Sequence, residues 1–227
     1  MRVGAPKETK DNEYRVGLTP SSVAELAHAG HEVFIERGAG EGAGLSNSDY
    51  AAAGAKLVDG PEALFAAAQL IVKVKEPQRR EIAYLRPDHV LFTYFHLAAD
   101  AELTRALMAS GAHCIAYETV TAPGGGLPLL APMSEIAGRL APQIGAHFLE
   151  KQAGGRGVLL AGAPGVPPAD VLVLGAGSVG AQATAIALGM GASVLVADRS
   201  PDALRRLETR FGFAARTIYS TRAENQD

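Results

Sequence analysis

The feature that most constrains this chain is a glycine-rich turn set between an apolar run and a stretch of small residues. Val171-Leu172-Val173-Leu174 runs into Gly175-Ala176-Gly177-Ser178-Val179-Gly180, small residues continue from Ala181 to Met190, and a second apolar run, Ser193–Ala197, ends at Asp198. In a strand–turn–helix–strand unit each glycine has its own task. Gly175 makes the tight turn, Gly177 lets the backbone approach a pyrophosphate, and Gly180 lets the helix press on the strand. The helix start offers unpaired N–H groups and the positive end of its dipole to phosphates. Asp198 follows Gly175 by 23 positions (198 − 175). A carboxylate there accepts from both ribose hydroxyls and repels a 2′-phosphate, which favours NAD over NADP. Arg199 beside it is the one residue that loosens this preference, since arginine meets a 2′-phosphate. A bare GxGxxG is weak evidence, because small-residue turns are common. The strength here comes from strand, turn, helix, strand and acid falling in register.

The rest of the chain alternates in the same way. Strands are expected at Arg2–Ala5, His31–Glu36, Lys56–Val58, Leu70–Val74, His89–Phe95, His113–Tyr117, Val171–Leu174, Ser193–Ala197 and Thr217–Tyr219. Thr19 and Pro20 open a helix that Gly30 closes, and Ala99–Ser110 is a second helix stopped by Gly111. Such alternation is the mark of α/β architecture with parallel sheets. Pro132–Ala153 reads as one long helix with apolar Ile136, Leu140, Ile144 and Phe148, kinked or split at Pro142. Glycine- and proline-rich breaks follow at Gly154-Gly155-Arg156-Gly157 and from Gly162 to Pro168. The expected layout is two Rossmann-like domains. Residues 1–135 form an N-terminal substrate domain, and 136–227 carry an interdomain helix and the first half of an NAD-binding domain. A full dinucleotide fold has about six strands. Only three strand signals follow the boundary, so the second domain is expected to be incomplete.

Composition narrows the class further. The 227 residues carry a net charge of −3, with 48% hydrophobic and 20% charged residues, which excludes a disordered chain. No basic footprint points to nucleic acid or an anionic membrane surface. A single cysteine, Cys114, allows neither an internal disulfide nor a cysteine metal cluster, and no metal site is expected. A reducing, cytoplasmic setting is the default expectation. The first residues lack the apolar core of a secretory signal, and no apolar run reaches the ~18–20 residues of a membrane helix.

Several polar residues of the first domain stand at strand ends, where open α/β sheets place ligands. In Ile71-Val72-Lys73-Val74-Lys75-Glu76-Pro77, alternation sends both lysines to one face. Each is either a solvated edge charge or a desolvated cation that binds a carboxylate or polarises a carbonyl. His96, after the apolar run Val90–Phe95, is a satisfied core residue or an acid/base group. Arg15 lies in a loop before a helix start, where surface charge is the ordinary reading. Glu118 and Ser134 read as structural. Together one arginine, one or two lysines and a histidine suit a small anionic substrate facing a nucleotide.

The pattern Gly4-x-Pro6-Lys7-Glu8-x3-Asn12-Glu13-x-Arg15-Val16-x2-Thr19-Pro20-x2-Val23-x2-Leu26-x3-Gly30 resembles the N-terminal signature of the alanine dehydrogenase and nicotinamide nucleotide transhydrogenase alpha-subunit family. The family's second signature is similar to Val173–Gly180 continued through Gly189-Met190-Gly191-Ala192 to Asp198. Lys73–Pro77, Phe92-Thr93-Tyr94-Phe95-His96-Leu97-Ala98, Tyr117–Val120 and Pro132–Gly138 resemble the alanine dehydrogenase branch, because the transhydrogenase subunit generally lacks the His96-Leu97-Ala98 pattern. That resemblance implies reversible oxidative deamination of L-alanine to pyruvate and ammonia with NAD. Arg15 and Lys75 would hold the substrate carboxylate and keto oxygen, His96 would be the acid/base residue, and Met133 would pack near the substrate. Ser134, Ser178, Asp198 and Ser220 would touch NAD, beside Gly175, Gly177 and Gly180. The resemblance also implies a homo-oligomer, commonly a hexamer. Alternatives remain open: a transhydrogenase NAD-binding subunit, or a non-catalytic nucleotide-binding or oligomerising fragment. The chain reads as C-terminally truncated against the family, whose second half supplies a catalytic aspartate and the nicotinamide pocket wall. Ala203 stands where members often carry a basic residue toward the cofactor.

Overall fold

Strands joined through helices pair in parallel, because a parallel neighbour needs a long crossover. The computed structural model of the chain, which describes residues 1–221, shows parallel pairing in every ladder. The chain divides into two compact units, Met1–Leu127 and Pro128–Asp227.

In the first unit β1 (Arg2–Ala5), α1 (Pro20–His28), β2 (Glu32–Glu36), α2 (Asn47–Ala52), β3 (Lys56–Val58), α3 (Gly60–Ala67), β4 (Leu70–Val72), α4 (Arg79–Ile82), β5 (Val90–Thr93), α5 (Ala101–Ser110) and β6 (His113–Ala116) follow one another. The six strands lie in the order β3-β2-β1-β4-β5-β6. One core cluster gathers Val3, Ala5, Val23, Val33, Ile35 and Tyr50, and a second gathers Leu64, Phe65, Ile71, Leu91 and Phe95. The strand order reverses between β1 and β4. Ligand crevices of open α/β sheets sit at the carboxyl ends of the strands at such a reversal. The loops that leave β1, β4 and β5 there carry Arg15, Lys75 and His96.

Local chemistry sets the helix ends. The Thr19 hydroxyl accepts from the Ser22 amide at 3.3 Å with Pro20 as the first helical residue, and Gly30 follows the helix at φ 82°. The second expected helix starts later than its sequence suggests, at Ala101, because the Asp100 carboxylate accepts from the Leu103 amide at 2.9 Å and Leu97–Ala99 forms a separate 3-10 turn. The strand expected over Leu70–Val74 stops at Val72, where the chain bends and buries Lys73.

The second unit contains α6 (Ala131–Leu149), β7 (Asp170–Leu174), α7 (Ser178–Gly189), β8 (Ser193–Asp198), α8 (Pro201–Phe211) and β9 (Ala215–Tyr219). Its sheet has the order β7-β8-β9, with Val194, Val196, Ala187 and Leu207 in its core. The division between units falls ahead of α6, whereas the sequence places it at 135/136, inside that helix. Pro142 stays within one continuous α6, and the helix stops at Leu149 rather than Ala153. The expected stripe Ile136, Leu140, Ile144 and Phe148 is exposed, and Gly138 is the buried residue of α6. A Cβ at Gly138 would lie 2.2 Å from the Val179 carbonyl oxygen, so the helix face that meets α7 has to be made of small residues. Among the described residues no helix is long and apolar enough to cross a membrane.

Candidate functional site

The two lysines that alternation places together have different fates. Lys73 is 1% exposed, and its Nζ lies 2.9 Å from Glu81 Oε1 and 3.2 Å from Glu8 Oε2. Glu8 Oε1 also accepts the Val74 amide at 2.6 Å, and Glu81 Oε2 accepts the Gln78 amide at 2.7 Å. Burial pushes the Glu8 carboxyl up, against Lys73 and the Val74 amide, which pull it down. This buried triad ties the loop after β1 to the chain on either side of Lys75. Lys73 therefore serves the fold, and Lys75, half-buried in the bend that follows, is the lysine left for a ligand.

Arg15 is exposed in the loop after β1. Its Nε and a terminal nitrogen donate to the two carboxylate oxygens of Glu13 at 2.7 and 2.5 Å, and its amide donates to the same carboxylate at 2.9 Å. That bidentate pair holds Glu13 below the usual carboxylate range, and the Lys75 charge adds to it. Burial raises the Glu76 carboxyl, and its pair with Lys10, a backbone bond and the Lys75 charge together outweigh that and hold it below its ordinary value. Arg15 and Lys75 are thus both within electrostatic reach of Glu13.

His96 follows β5 with φ 52° and ψ 36°, a left-handed backbone uncommon outside glycine. The Glu118 carboxylate accepts the His96 amide at 2.7 Å and the Phe95 amide at 3.0 Å. The imidazole lies parallel to the Tyr94 ring, 6.2 Å between centroids and 13° between planes. Burial raises the Tyr94 hydroxyl's pKa, with Arg15 pulling it down and Glu118 pushing it up. Tyr94 accordingly links His96 to Arg15. Arg15, Lys75 and His96 all follow the carboxyl ends of the central strands of the first unit, with Arg15 and Lys75 both acting on Glu13 and His96 lying beside Tyr94. Sequence reasoning gave no role to Glu13 or Tyr94, and it read Glu118 only as structural. No residue type flags a left-handed histidine, so nothing in the sequence points to the carboxylate that holds it.

In the second unit the three glycines of the turn divide their tasks. Gly175 has φ 102°, which side chains resist. A Cβ at Gly180 would lie 1.8 Å from the Gly175 carbonyl oxygen, so that position admits no side chain. Gly177 has neither constraint, since a Cβ there meets nothing within 4 Å. Gly177 is the N-cap of α7 with no side-chain cap bond, so the amides at the helix start are open on that side. Ser178 opens α7 and is exposed. Asp198 ends β8, and its carboxylate accepts the Ala176 amide at 2.6 Å and the Ser200 amide at 2.7 Å, bonds that lower its pKa. The Ser220 amide donates to the Asp198 carbonyl at 3.0 Å, which places Ser220 beside it. The turn, the start of α7, Asp198 and Ser220 thus lie at the carboxyl ends of β7, β8 and β9. Ala203 is buried in α8. Met133 and Ser134 lie in the first turn of α6, half-buried. Among the described residues no three His, Cys, Asp or Glu side chains come together as a metal site.

Residues 4–137 match the family model described as alanine dehydrogenase/PNT, N-terminal domain, and residues 141–227 match the corresponding C-terminal domain. The chain is 55% identical over 221 residues to the alanine dehydrogenase of Halomonas elongata, an alignment that takes in 97% of this chain and 60% of that protein. The chain therefore spans 60% of that relative's length. Among solved structures, one titled L-alanine dehydrogenase superposes with a TM-score of 0.92 at 52% identity, over 99% of this chain and 62% of the other. A transhydrogenase from Sinorhizobium meliloti superposes with a TM-score of 0.78 at 29% identity, over 96% of this chain and 64% of the other.

Proposed function

The chain belongs to the alanine dehydrogenase/PNT family, and from that premise we propose that it carries the substrate-binding and first nucleotide-binding elements for reversible oxidative deamination of L-alanine to pyruvate and ammonia. The observation that supports the reading most is that Arg15, Lys75 and His96 follow the carboxyl ends of β1, β4 and β5, with Arg15 and Lys75 both acting on Glu13 and Arg15 on Tyr94 beside His96. A 2-oxo or 2-amino acid presents a carboxylate beside a reacting carbon, and this group of residues complements both. Arg15, oriented by its bidentate hold on Glu13, takes the carboxylate. The Lys75 ammonium stabilises negative charge on the keto oxygen in the reductive direction. His96 moves protons to and from the attacking water or the leaving nitrogen.

NAD, when bound, supplies the hydride acceptor for the alanine Cα. The residues that would hold it are Gly175, Gly177, Ser178 and Gly180 at the pyrophosphate and Asp198 at the ribose hydroxyls, with Ser220 alongside and Ser134 as a further contact, while Met133 would pack near the substrate. Asp198 favours NAD over its 2′-phosphorylated form by charge. As in other members of the family, assembly into homo-oligomers is expected.

The test is NADH formation from NAD and L-alanine at alkaline pH, with Lys75→Ala as the control. Alanine-dependent turnover that vanishes in the control supports the assignment. NAD binding without alanine-dependent reduction counts against it and fits a transhydrogenase NAD-binding subunit, the reading that the likeness to the Sinorhizobium meliloti structure favours. A second reading rests on the three-stranded second sheet and the 60% span. On it, these 227 residues alone bind nucleotide and turn over poorly. Rates in the ordinary enzyme range of ~1–10³ s⁻¹ from the purified chain contradict that reading.

A further inference from the structure

The register Thr93↔Ala116 brings the ends of β5 and β6 level, and so sets Glu118 against the chain leaving β5. There its carboxylate receives two successive amides, Phe95 and His96, the second at 2.7 Å. Successive amides converge on one anion where the backbone changes hand, and His96 with φ 52° is that change. A histidine resists this conformation unless its surroundings over-determine it. Charge-assisted bonds are roughly twice as strong as neutral ones, which makes the carboxylate the element that over-determines it. The imidazole's direction follows from the backbone, and in this conformation the ring lies along Tyr94.

We propose that Glu118 is a positioning residue, which fixes the left-handed turn at His96 and thereby aims the imidazole at the substrate. The inference rests on the function proposed above for its catalytic consequence and on geometry alone for its structural one. The two are therefore tested separately.

The structural test is NMR of the whole chain carrying Glu118→Ala. The His96 amide is expected to exchange at least about tenfold faster, as a local opening rather than global unfolding. The His96 Cα shift is expected to leave its left-handed value, with β5 amides unchanged. A His96 that stays left-handed and equally protected overturns the proposal. If the alanine variant does not fold, Glu118→Gln decides. Its neutral oxygen is the weaker acceptor, so the His96 amide must exchange faster than in the unaltered chain, and equal rates overturn the proposal.

The catalytic test is alanine oxidation. Glu118→Ala is expected to lower kcat by about 10- to 100-fold, the scale of a misplaced reacting group, with KM moved less than about threefold. Glu118→Gln is expected to recover most of that loss. An unchanged kcat in the alanine variant overturns the catalytic consequence. An unaltered chain that neither turns over alanine nor binds pyruvate refutes the function instead, and the NMR result then decides the role of Glu118 on its own.

Discussion

The first strands of the two units begin the same topology and end in different surroundings. β1 has β2 on one side and β4 on the other, and within it Val3 is 2% exposed and Ala5 fully buried. β7 has β8 on one side and, among the described residues, no strand on the other, and within it Leu172 is 58% and Leu174 74% exposed. The order β9-β8-β7 repeats β3-β2-β1, so the second sheet corresponds to half of the first. The difference shows what the second half of a doubly wound sheet contributes. It gives the central strand its second partner, covers its apolar side chains and creates the reversal at which a crevice opens. The first unit has that reversal, and its buried ionic triad lies beside it. All the buried charged groups of the described residues, Glu8, Lys73 and Glu81, are in that unit.

The largest effect expected from this contrast is at Lys73. Lys73→Met leaves Glu8 and Glu81 buried without their cation and should cost the first unit about 3–5 kcal/mol, leaving the second unit's amide signals intact. Denaturant titration followed by unit-specific NMR signals measures it. A loss shared by both units would break the contrast. Next come two leucines of equal size. Leu91→Ala, at a fully buried site in β5, should cost about 2–5 kcal/mol. Leu174→Ala should stay within about 0.5 kcal/mol. A large loss at Leu174 would mean that the β7 edge is covered in solution. Within the second unit, Gly180→Ala should cost about 1–3 kcal/mol or more through its collision with the Gly175 carbonyl. Gly177→Ala should change stability by less than about 0.5 kcal/mol and weaken NAD binding about tenfold by calorimetry. Equal stability losses would remove the argument that Gly177 is kept for a ligand.

The smallest effect is in pH dependence. The Ala176 and Ser200 amides hold folded Asp198 below the ordinary aspartate value of 3.8. Its stabilisation is therefore complete above that value and is lost as pH falls through the lower folded one. Glu8 has the opposite sign, because burial raises its carboxyl above 4.5. Its contribution is complete below 4.5 and is lost as pH rises through the folded value. Asp198→Asn should flatten the acid limb of the second unit's stability curve and leave the first unit's curve unchanged. An unaltered acid limb in the second unit would show that the two amide bonds to Asp198 add no stability.

Much of this was legible beforehand because local rules and global fold agree. The nine strands of the described residues lie where β-rich apolar runs stand between turn residues, and Gly175 and Gly180 meet two different physical demands. What was not legible depends on long-range contacts. Alternation treats Lys73 and Lys75 alike, and only Glu8 and Glu81, 65 and 8 positions away, separate them. The apolar stripe of α6 suggests its own burial, yet the helix packs through Gly138 because α7 approaches too closely for anything larger. Periodicity has no symbol for the hand of a backbone, so the turn at His96 was beyond it.

The position of β1 in the middle of its sheet has a consequence for synthesis. Its second partner begins at Leu70, 67 positions after Val3 (70 − 3). At roughly 5–20 residues per second the ribosome takes about 3–13 s to deliver it. Until then the most that β1 can build, with β2 and β3, is a three-stranded parallel half-sheet with one open edge, the arrangement in which the second unit's strands stand. A chain stalled before residue 70 therefore displays Val3 and Ala5 along an unpaired strand, a surface suited to chaperones and to the matching edge of another nascent chain.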